Sequence, residues 1–550
     1  MEKKWTVKRD CRGLSTNEII NAILEDRGIE DANALLSPDE DCLIPFEQLK
    51  NIDRAAQIIL NGIEDNKRFL VYADVDVDGC SANAIAVRWL REHTDNVTCY
   101  INQGKEHGIA KTDHSVFKGI DILWIVDSIE TQMYPYENAL NMGIDHIIIS
   151  DHHLCSKSMQ KQMERTGQIT LVSSAVDYPN PALSGSATTW KLCAYMDWLE
   201  LDDYSDNLID LAACGLVADM CDVGVDSPEN RYICAKGFEN QVNPGIKKIN
   251  GTYDFNSQAV SFGIAPLINA SNRMNENEKA MQLFLSDNSK EIAALVTDLK
   301  FCKESQNFEI ADVMPYLEKQ AEEQLDKKVM FFFIDTEGEI AGLIGNKLLE
   351  KYQRPVFVLK TRIEVDEDTG EITRHEYTGS CRAVGVPNFK KYVDDTGMVG
   401  AGGHELAFGL WFDAEVIDDF RNALEDALQD VEFVQETTVD IQIDQSQITD
   451  DLIKKLKMLN KISGQGWPSI SVMVSDLTEY EVSNMSGGKH LKLVTDKGKL
   501  LFIKWNFNGD WDQFDGPVSA IGSLDSGFFG RTYYRQLIMN DFMVDKAEDL

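Results

Sequence analysis

Three short apolar runs, each closed by an aspartate, constrain the fold of this chain more than any other feature. They are "RFLVYAD" at 68–74, "DILWIVDS" at 121–128 and "DHIIISDHH" at 145–153, and helix-like stretches such as "SANAIAVRWLREH" separate them. Strands that alternate with helices predict a parallel sheet, and ligands of such sheets bind outside the carboxyl ends of the strands. We therefore expect the terminal aspartates to converge at one edge of a sheet.

The first of these runs leads into an acidic motif, "ADVDVDG", which places Asp74, Asp76 and Asp78 two residues apart. Alternate residues of an extended strand share a face, so three carboxylates would crowd together there and repel one another. A divalent cation would relieve that repulsion. A solvated acidic turn would also avoid it, and the motif alone leaves both interpretations open.

Other segments supply further residues of metal-ligating type. Asp127 lies alone after the second run, Asp151, His152 and His153 close the third, and Asp219 ends "LAACGLVAD". Carboxylates with one or two imidazoles suit Mn²⁺ or Mg²⁺ better than zinc, because oxygen ligands favour hard cations and imidazole shifts the preference toward manganese. Two such ions about 3.5–4 Å apart would share a bridging carboxylate, for which Asp127 is the best candidate.

Composition bounds the class of fold and the cellular context. With 550 residues, of which 43% are hydrophobic and 26% charged, the chain should form several globular domains. No apolar run reaches the ~18 residues of a membrane span, and "MEKKWTVKRDCRGL" lacks the apolar centre of a signal peptide, so we expect a cytoplasmic protein without membrane attachment. The eleven cysteines include no C-x-x-C pair, which argues against a zinc ribbon or a disulfide framework.

The net charge of −38 argues against a general attraction to nucleic acid, because phosphates are bound mainly by Lys and Arg. The window from Lys454 to Lys504 is an exception, since its nine lysines outnumber its four acids and give a local charge of +5. Positively charged side chains beside aromatic stacking surfaces are typical of proteins that bind single-stranded DNA. Of the neighbours Lys504 and Trp505, we expect only one to face the bound DNA. The aromatic residues of this region, about half of which a barrel core would need, are Trp467, Phe502, Trp505, Phe507 and Trp511.

Patterns along the chain predict five segments. Residues 1–55 are predicted as a helical lead-in, and 56–270 contain the alternation of strands and helices. A long polar stretch with few Gly and Pro indicates a connecting helix region at 271–327. A second α/β pattern occupies 328–430, and short strands with Gly-rich turns predict a small β-barrel over 431–550.

The order and spacing of "ADVDVDG", "VDS", "SDHH" and "GLVAD" resemble the four motifs of the DHH phosphoesterase superfamily. Further fragments resemble its RecJ branch of single-strand-specific exonucleases, among them "LSGSATTWKL", "IAPLINASNRM", "TGSCRA", "GAGGHELAFG" and "SGFFGRTYYRQLIMNDF". The resemblance runs along nearly the whole chain. It implies an α/β fold in which a DHH parallel-sheet domain, a long connecting helix, a DHH-associated α/β domain and a C-terminal OB-like β-barrel follow one another.

The resemblance also implies which residues form the catalytic centre. Two divalent cations are expected, with Mn²⁺ favoured and Mg²⁺ as the alternative. His153 is expected on the scissile phosphate, with Asp76 and Asp127 beside it in catalysis, although a histidine next to a metal ligand can instead hold that ligand in place. The metal ligands implied are Asp74, Asp76, Asp78, Asp127, His152 and Asp219.

A second set of residues is implied for the DNA. Gly402, Gly403 and His404 resemble the GGH motif of the DHH-associated domain, with His404 on the backbone near the cleaved bond; a plain structural turn is the alternative. Arg273, Ser380 and Arg382 fall at phosphate-gripping positions for the terminal 5′-phosphate, although Arg273 could form a structural salt bridge. Two departures suggest a looser preference for that end: Leu267 stands where arginine is usual, and only Lys105 could replace the loop arginine of the family.

The function implied is a metal-dependent exonuclease that degrades single-stranded DNA from 5′ to 3′ into mononucleotides in recombination, repair or replication. A catalytically inactive replication scaffold that binds single strands is one alternative, and the complete set of acids and both histidines argue against it. A phosphodiesterase for short oligonucleotides or cyclic dinucleotides is another, which the late barrel disfavours because a dinucleotide needs no extended binding module. Single-stranded DNA, and a single-strand-binding protein or another replication or recombination protein, are the expected partners of a monomer.

Overall fold

The computed structural model describes residues 3–29, 31–102, 108–336, 339–365, 372–433, 435–495, 498–507, 509, 511–529 and 531–544. The chain begins with a strand and not with the helical lead-in expected for 1–55, which is therefore wrong over residues 3–10. Strand β1 (Lys3–Asp10) pairs in parallel with a strand far along the chain. Three helices follow: α1 (Thr16–Asp26), α2 (Ala32–Leu36) and α3 (Ile52–Glu64).

The expected parallel sheet is present, and every neighbouring pair of its strands is parallel. Its spatial order is β3-β2-β4-β5-β6, so the first strand in sequence lies inside the sheet. The strands are β2 (Phe69–Ala73), β3 (Val97–Ile101), β4 (Ile122–Val126), β5 (His146–Asp151) and β6 (Ile169–Ser173), and the intervening helices are α4 (Val77–His93), α5 (Tyr134–Asn141) and α6 (Lys157–Thr166).

Both faces of this sheet are covered, as its unbroken apolar strands require. Phe69 and Val71 pack into a large core with residues of the helices that cover one face, and Leu70 and Tyr72 into a smaller core on the other. A π-helical turn at Ala259–Ile264 runs directly into the fifth of the helices that follow the sheet. Those helices are α7 (Gly185–Glu200), α8 (Ile209–Ala218), α9 (Pro228–Glu239), α10 (Pro244–Asn250), α11 (Ala265–Arg273) and α12 (Asn277–Leu285).

One long helix, α13 (Ser289–Glu322), joins the first α/β unit to the second. Its first half packs into the large core of the first unit through Leu295 and Leu299, and its second half into a core of the second unit through Ile310 and Leu317. Helix α13 thus links the two units rigidly, as the polar, glycine-poor segment predicts.

The second unit is a five-stranded mixed sheet of order β10-β11-β9-β8-β7. Helix α14 covers one face, and the remaining two helices of the unit cover the other. The elements are β7 (Met330–Phe333), α14 (Ala341–Tyr352), β8 (Val356–Val365), β9 (Ile372–Arg382), α15 (Phe389–Asp395), β10 (Gly400–His404), β11 (Ala407–Asp413) and α16 (Ile417–Ala427).

The C-terminal region is β-rich and consistent with an OB-like domain. Its eight-stranded sheet has the order β1-β12-β13-β17-β18-β16-β15-β14, so the first strand of the chain forms one edge. Ile19 and Ile23 of α1 share its core. The elements are β12 (Gln435–Ile443), α17 (Asp450–Leu459), β13 (Val472–Leu477), β14 (Glu481–Met485), β15 (His490–Thr495), β16 (Leu500–Lys504), β17 (Val518–Phe529) and β18 (Thr532–Val544). Among the described helices, none is both long and apolar enough to cross a membrane.

Candidate active site

The acidic motif forms a junction between a strand and a helix. Strand β2 ends at Ala73, immediately before Asp74. Asp76 caps α4, its Oδ1 accepting from the amide of Gly79 at 3.0 Å, and Asp78 lies in the first helical turn. The expectation of one extended strand is therefore wrong for Asp76 and Asp78. A helix N-terminus favours carboxylates, which explains how three of them are tolerated together.

The junction lies at the point where the order of the sheet reverses. Strands β3 and β4 flank β2 on opposite sides, so the connections leaving β2 and β4 diverge and open a crevice at the carboxyl edge. Asp74 follows β2 and Asp127 follows β4. The sheet topology therefore places these two carboxylates side by side, as the strand-end pattern predicts.

Asp127 is held in an uncommon conformation at this crevice. Its φ is 53°, a left-handed value that few residues other than glycine adopt, and its amide donates to the carbonyl of Ser150 at 2.9 Å. The side chain is 2% exposed, yet no hydrogen bond reaches Oδ1. A Cβ at Gly185 would lie 2.3 Å from that oxygen, so only glycine fits at this position of α7. Strain beside a buried, unpartnered carboxylate oxygen indicates a functional group.

Asp127 is also the carboxylate that two neighbouring groups of potential metal donors share. Asp74, Asp76 and Asp127 form an all-oxygen group in which one donor atom from each residue lies within 4.8 Å of the others. Asp127, Asp151, His152 and His153 form a second group by the same measure. A carboxylate common to two groups is what a pair of bridged cations requires.

His152 faces three of the predicted acids at once. Its Nε2 lies 3.3 Å from Asp127 Oδ1, 3.6 Å from Asp219 Oδ2 and 4.0 Å from Asp78 Oδ2. The contact to Asp127 Oδ1 is not a hydrogen bond, which is typical of ligands aimed at a common ion. Asp78 is more constrained than expected, because its two oxygens accept from the amides of Gly185 and Ser186 at 2.7 and 3.2 Å.

The orientation and the pKa of His153 depend on Asp151, which is not among the metal ligands that the family resemblance implies. Asp151 is fully buried, and its Oδ1 accepts from the amide of His152 and pairs with Nδ1 of His153, both at 2.8 Å. This hydrogen bond to Asp151 raises the pKa of His153 to about 9. Although burial acts in the opposite direction, the two histidines hold the pKa of Asp151 below its usual range. Asp151 therefore positions His153 and favours its protonated form in the metal-free protein.

The electrostatics of the cluster fit divalent cations. Burial, followed by the charges of Asp74 and Asp78, raises the pKa of Asp76 to about 7. Burial and the neighbouring Asp78 also raise the pKa of Asp127 well above its usual range and that of Asp219 less strongly. Carboxylates packed this closely resist ionisation unless a cation joins them. The buried, unpartnered Oδ1 of Asp127 and the mixture of oxygen and imidazole donors thus match Mn²⁺ or Mg²⁺.

Ser380, Arg382 and His404, three of the residues predicted to bind DNA, share one face of the second sheet. Ser380 of β9 pairs with Gly409, which pairs with Gly402, and Arg382 pairs with Ala407, which pairs with His404. Laterally paired residues of an antiparallel sheet point to the same side. Helix α14 covers this face of the sheet, because its residue Gly345 lies against the side chains of Arg382 and Val358. Strands β9, β11 and β10 thus align Ser380, Arg382 and His404, and small residues lie between them.

The glycine-rich segment differs from the predicted loop. Residues 400–404 form β10 itself, paired with β11, and Gly402, Gly403 and His404 are exposed. Gly403 has a φ of 126°, and a Cβ there would lie 2.9 Å from Cα of Phe408, so close strand pairing requires glycine. His404 ends the strand next to a tight turn. Lys105, the other residue predicted for DNA, lies outside the described residues.

Arg273 and Arg382 belong to a cationic pocket that is larger than the sequence indicated. Burial, followed by Arg382, lowers the pKa of Arg273, so the two guanidinium groups lie close together. Burial also lowers the pKa of Lys303 on α13, and the charges of Arg273 and Lys347 lower it further. In the described part of the chain, no carboxylate lies within salt-bridge distance of Arg273, Lys303, Lys347 or Arg382. Four such cations in a chain of net charge −38 form a candidate anion site.

Hydrogen bonds orient the cationic side chains of this pocket. Arg382 Nε donates to Asn346 Oδ1 at 2.9 Å and its guanidinium donates to the carbonyl of Cys381 at 2.7 Å. A Cβ at Gly342 would lie 2.5 Å from the guanidinium, so the first turn of α14 approaches it closely. Lys303 Nζ donates to Gln306 at 2.9 Å. The signal that could have revealed Lys303 is a lysine on the otherwise apolar stripe of α13 that includes Leu299, Cys302 and Ile310.

In the C-terminal region the aromatic residues divide as expected between core and surface. Trp467, Phe502 and Phe507 are buried, and Trp511 is partly buried. Trp505 is 45% exposed and packs edge-on against His490 at 4.9 Å. Lys504 Nζ donates to the carbonyl of Asn540 on β18, whereas Trp505 contacts β15 on the other side of β16. Part of the predicted positive charge is offset, because Lys455 and Lys457 pair with Asp451 and Asp525.

Comparison with known proteins gives a consistent result. Residues 68–216 match the DHH family, N-terminal domain. Over 547 residues the chain is 25% identical to the putative SPbeta prophage-derived single-strand DNA-specific exonuclease YorK of Bacillus subtilis, with 92% of each chain covered. It is 24% identical to the single-stranded-DNA-specific exonuclease RecJ of the same organism, with 98% of this chain and 70% of the relative covered.

Solved structures agree on the fold. The crystal structure of RecJ in complex with Mn²⁺ from Thermus thermophilus superposes with a TM-score of 0.77 at 20% identity, and the match covers 99% of this chain and 80% of that one. RecJ in complex with Mg²⁺ from the same organism gives a TM-score of 0.72, also at 20% identity, with 99% of this chain and 79% of that chain covered.

The parallel sheet, with carboxylates and paired histidines at its switch point, lies within the segment that matches the DHH family, N-terminal domain. The match continues through the connecting helix, the second α/β unit and the β-rich C-terminal region. The chain therefore contains a DHH N-terminal domain, and over nearly its whole length it is similar to the single-strand-specific exonucleases YorK and RecJ.

Proposed function

We propose that this protein is a metal-dependent exonuclease that hydrolyses single-stranded DNA from the 5′ end to mononucleotides, with Asp74, Asp76, Asp127, His152 and Asp219 as metal ligands. Asp78, in the first turn of α4 and hydrogen-bonded to the first amides of α7, completes the ligand set. The observation that carries the proposal is the buried carboxylate of Asp127, which two groups of donors share and whose Oδ1 no hydrogen bond satisfies. When bound, the divalent ions would activate a water and offset negative charge on the phosphate.

The protein's own residues perform the remaining tasks. His153, oriented by its hydrogen bond with Asp151, donates to a non-bridging oxygen of the scissile phosphate. His404 holds the DNA backbone from the exposed end of β10, with Gly402 and Gly403 leaving room for the strand. The histidines thus approach the substrate from the two α/β units that α13 joins.

The cationic pocket selects the strand end. Arg273, Ser380 and Arg382 would bind the terminal 5′-phosphate, because the arginine fork meets phosphate oxygens bidentately. Lys303 and Lys347 add charge at the same place, which compensates for Leu267 at the position where the family resemblance leads us to expect arginine. This pocket makes a 5′-phosphate preference stronger than the sequence alone suggested.

The ion preferred is Mn²⁺. Imidazole from His152, and the mixture of donors around it, suits manganese better than magnesium, which prefers an all-oxygen shell and keeps its waters. Single-stranded DNA is the nucleic-acid partner, and Trp505 with His490 offers it a stacking surface in the C-terminal region. A single-strand-binding protein or another replication or recombination protein would deliver the strand to a monomeric enzyme in the cytoplasm.

The test is release of labelled nucleotide from 5′-phosphorylated single-stranded DNA with Mn²⁺ or Mg²⁺. Asp127→Asn should reduce release at least about 100-fold, because it removes the shared ligand, while binding of the strand persists. Asp121→Asn is the matched control at the opposite end of β4, where Asp121 pairs with Arg68 on the surface. Blunt duplex and 3′-labelled strands should be poor substrates. Intact DNA with every metal, and strand binding retained, would instead identify a scaffold.

A further inference from the structure

Cys221 lies beside the metal-ligand candidates Asp219 and His152, and the proposed function assigns it no role. We propose that its Sγ is a metal donor, so that the cation position at Asp219 and His152 accepts thiophilic divalent ions such as Co²⁺, Zn²⁺ and Cd²⁺. This inference rests on the proposed metal-dependent function and concerns the selectivity of one of its two cation positions.

The end of α8 brings the thiol back toward the site. Asp219 is the residue after the helix, and Met220 adopts a left-handed backbone with a φ of 55°. The amide of Met220 donates to the carbonyl of Val217 at 3.2 Å and that of Cys221 to Leu216 at 3.0 Å. This pair of hydrogen bonds is the Schellman pattern, which reverses the chain. Cys221 therefore lies alongside Asp219 instead of continuing away from it.

The side chains converge on one place. Cys221 Sγ donates to Asp219 Oδ2 at 3.6 Å, and the same oxygen lies 3.6 Å from His152 Nε2. One donor atom each of His152, Asp219 and Cys221 lies within 4.8 Å of the others. Independently, Asp127 Oδ1 is buried without a hydrogen bond and lies 3.3 Å from the same imidazole nitrogen. An unsatisfied carboxylate oxygen directed there indicates that a cation occupies this position.

The donor chemistry distinguishes the two cation positions. The group formed by Asp74, Asp76 and Asp127 offers only oxygen, which suits Mn²⁺ and Mg²⁺. The group formed by His152, Asp219 and Cys221 offers nitrogen, oxygen and sulfur, a set that Zn²⁺ and Co²⁺ bind well. On binding, the metal–sulfur bond replaces the S–H bond and the proton passes to solvent. Cys221 is 9% exposed, so bulk water competes little for the sulfur.

The experiment is a Co²⁺ titration of the metal-free, full-length protein followed by ultraviolet and visible absorption. A thiolate-to-cobalt charge-transfer band should appear at one equivalent in the wild type, and Cys221→Ser should lose it. Cys155→Ser is the matched control, because this thiol follows the two histidines but points to the carbonyl of Ser156 at 3.8 Å. Cys221→Ala, with its thermal unfolding recorded, provides a second variant if the serine perturbs folding.

A competition titration supplies the second readout. Zn²⁺ affinity should fall at least about tenfold in Cys221→Ser, while Mn²⁺ affinity changes much less, because manganese gains little from sulfur. Cobalt binding without the band in the wild type, or an equal band in Cys221→Ser, would overturn the role of Cys221 and leave the nuclease proposal intact. Failure of the wild type to bind any divalent ion would overturn both.

Discussion

Asp127 shows how backbone and side chain are specified together at a single residue. Its left-handed φ of 53° turns the carboxylate into the crevice, and aspartate is among the few residues that adopt this region at modest cost. Burial then raises its pKa, which makes a cation the natural partner. Conformation, burial and charge therefore all restrict this position to one residue type.

Asp151 should affect the reaction only through His153. In Asp151→Asn the imidazole keeps a hydrogen-bond partner but loses the negative charge, so the pKa of His153 in the metal-free protein should fall from about 9 toward its usual value. We expect nuclease activity to drop about 10–100-fold. NMR titration of the histidine together with a pH–rate profile measures both effects.

Asp145→Asn is the control for that substitution, since Asp145 precedes β5 at the other end and pairs with Lys67 on the surface. An unchanged histidine titration in Asp151→Asn would show that Asp151 has no electrostatic role.

Gly185 should tolerate no side chain. Gly185→Ala places a Cβ 2.3 Å from Asp127 Oδ1, so the carboxylate or the start of α7 must move. We expect at least tenfold weaker Mn²⁺ binding and a loss of about 1–3 kcal/mol in the free energy of unfolding. Isothermal titration calorimetry and urea unfolding measure these quantities.

Gly263→Ala is the matched control, because a Cβ there meets no atom within 4 Å. Equal metal affinity in wild type and Gly185→Ala would mean that Asp127 has more room than the structure gives it.

At the scale of elements, α13 both joins the two α/β units and contributes Lys303 to the cationic pocket. Lys303→Gln should weaken binding of a 5′-phosphorylated single strand about tenfold, because a charged hydrogen bond to phosphate is lost. Binding of the same strand with a 5′-hydroxyl should change little. Fluorescence anisotropy with the two strands measures the difference.

Lys300→Gln is the control for this prediction, since Lys300 lies one turn earlier on the exposed face of the same helix. If both strands lose affinity equally in Lys303→Gln, the lysine contributes general charge and not recognition of the end.

The sequence predicted some elements well for a physical reason. Apolar runs that end in aspartate fix the carboxyl edge of a parallel sheet, so Asp74 and Asp127 could be placed together from pattern alone. The positions of Asp76 and Asp78 at a helix N-terminus could not be predicted, because the change from strand to helix within three residues has no periodic signal. Strand β1 was missed since its partner lies 432 residues away, although the half-buried Trp5 and Val7 alternate with exposed residues as in an edge strand.

Lys303 escaped prediction for a different reason. The apolar stripe of α13 makes Lys303 an unusual lysine but does not identify its partners, and only the packing of α11 and α14 against α13 brings Arg273 and Lys347 to it. Contacts between distant elements leave no local pattern, so a pocket assembled from three helices and a strand needs the structure.

For the whole molecule, the crowded carboxylates predict how stability depends on pH. The folded, metal-free protein holds Asp76 with a pKa of about 7, against a usual value of 3.8, so it binds protons that the unfolded chain releases. Its free energy of unfolding should therefore fall as the pH rises from 5 to 8. Mn²⁺ should stabilise the protein more at pH 8 than at pH 6. Urea unfolding with a chelator or with Mn²⁺ measures both trends.

Asp76→Asn isolates the contribution of this carboxylate, and its metal-free stability should depend less on pH over the same range. A wild-type protein whose metal-free stability rises from pH 5 to pH 8, with no difference from Asp76→Asn, would contradict the raised pKa.

The pairing of β1 with β12 can form only late in synthesis. The ribosome releases residues 3–10 early, but their partner strand emerges only 432 residues later. At about 5–20 residues per second, that interval is roughly 20–90 s. During it, a strand with unpaired backbone groups, and the apolar face of α1 that later packs into the C-terminal core, lack their partners. The growing chain must stay soluble during this interval, for which the four basic residues of "KKWTVKRD" are well suited.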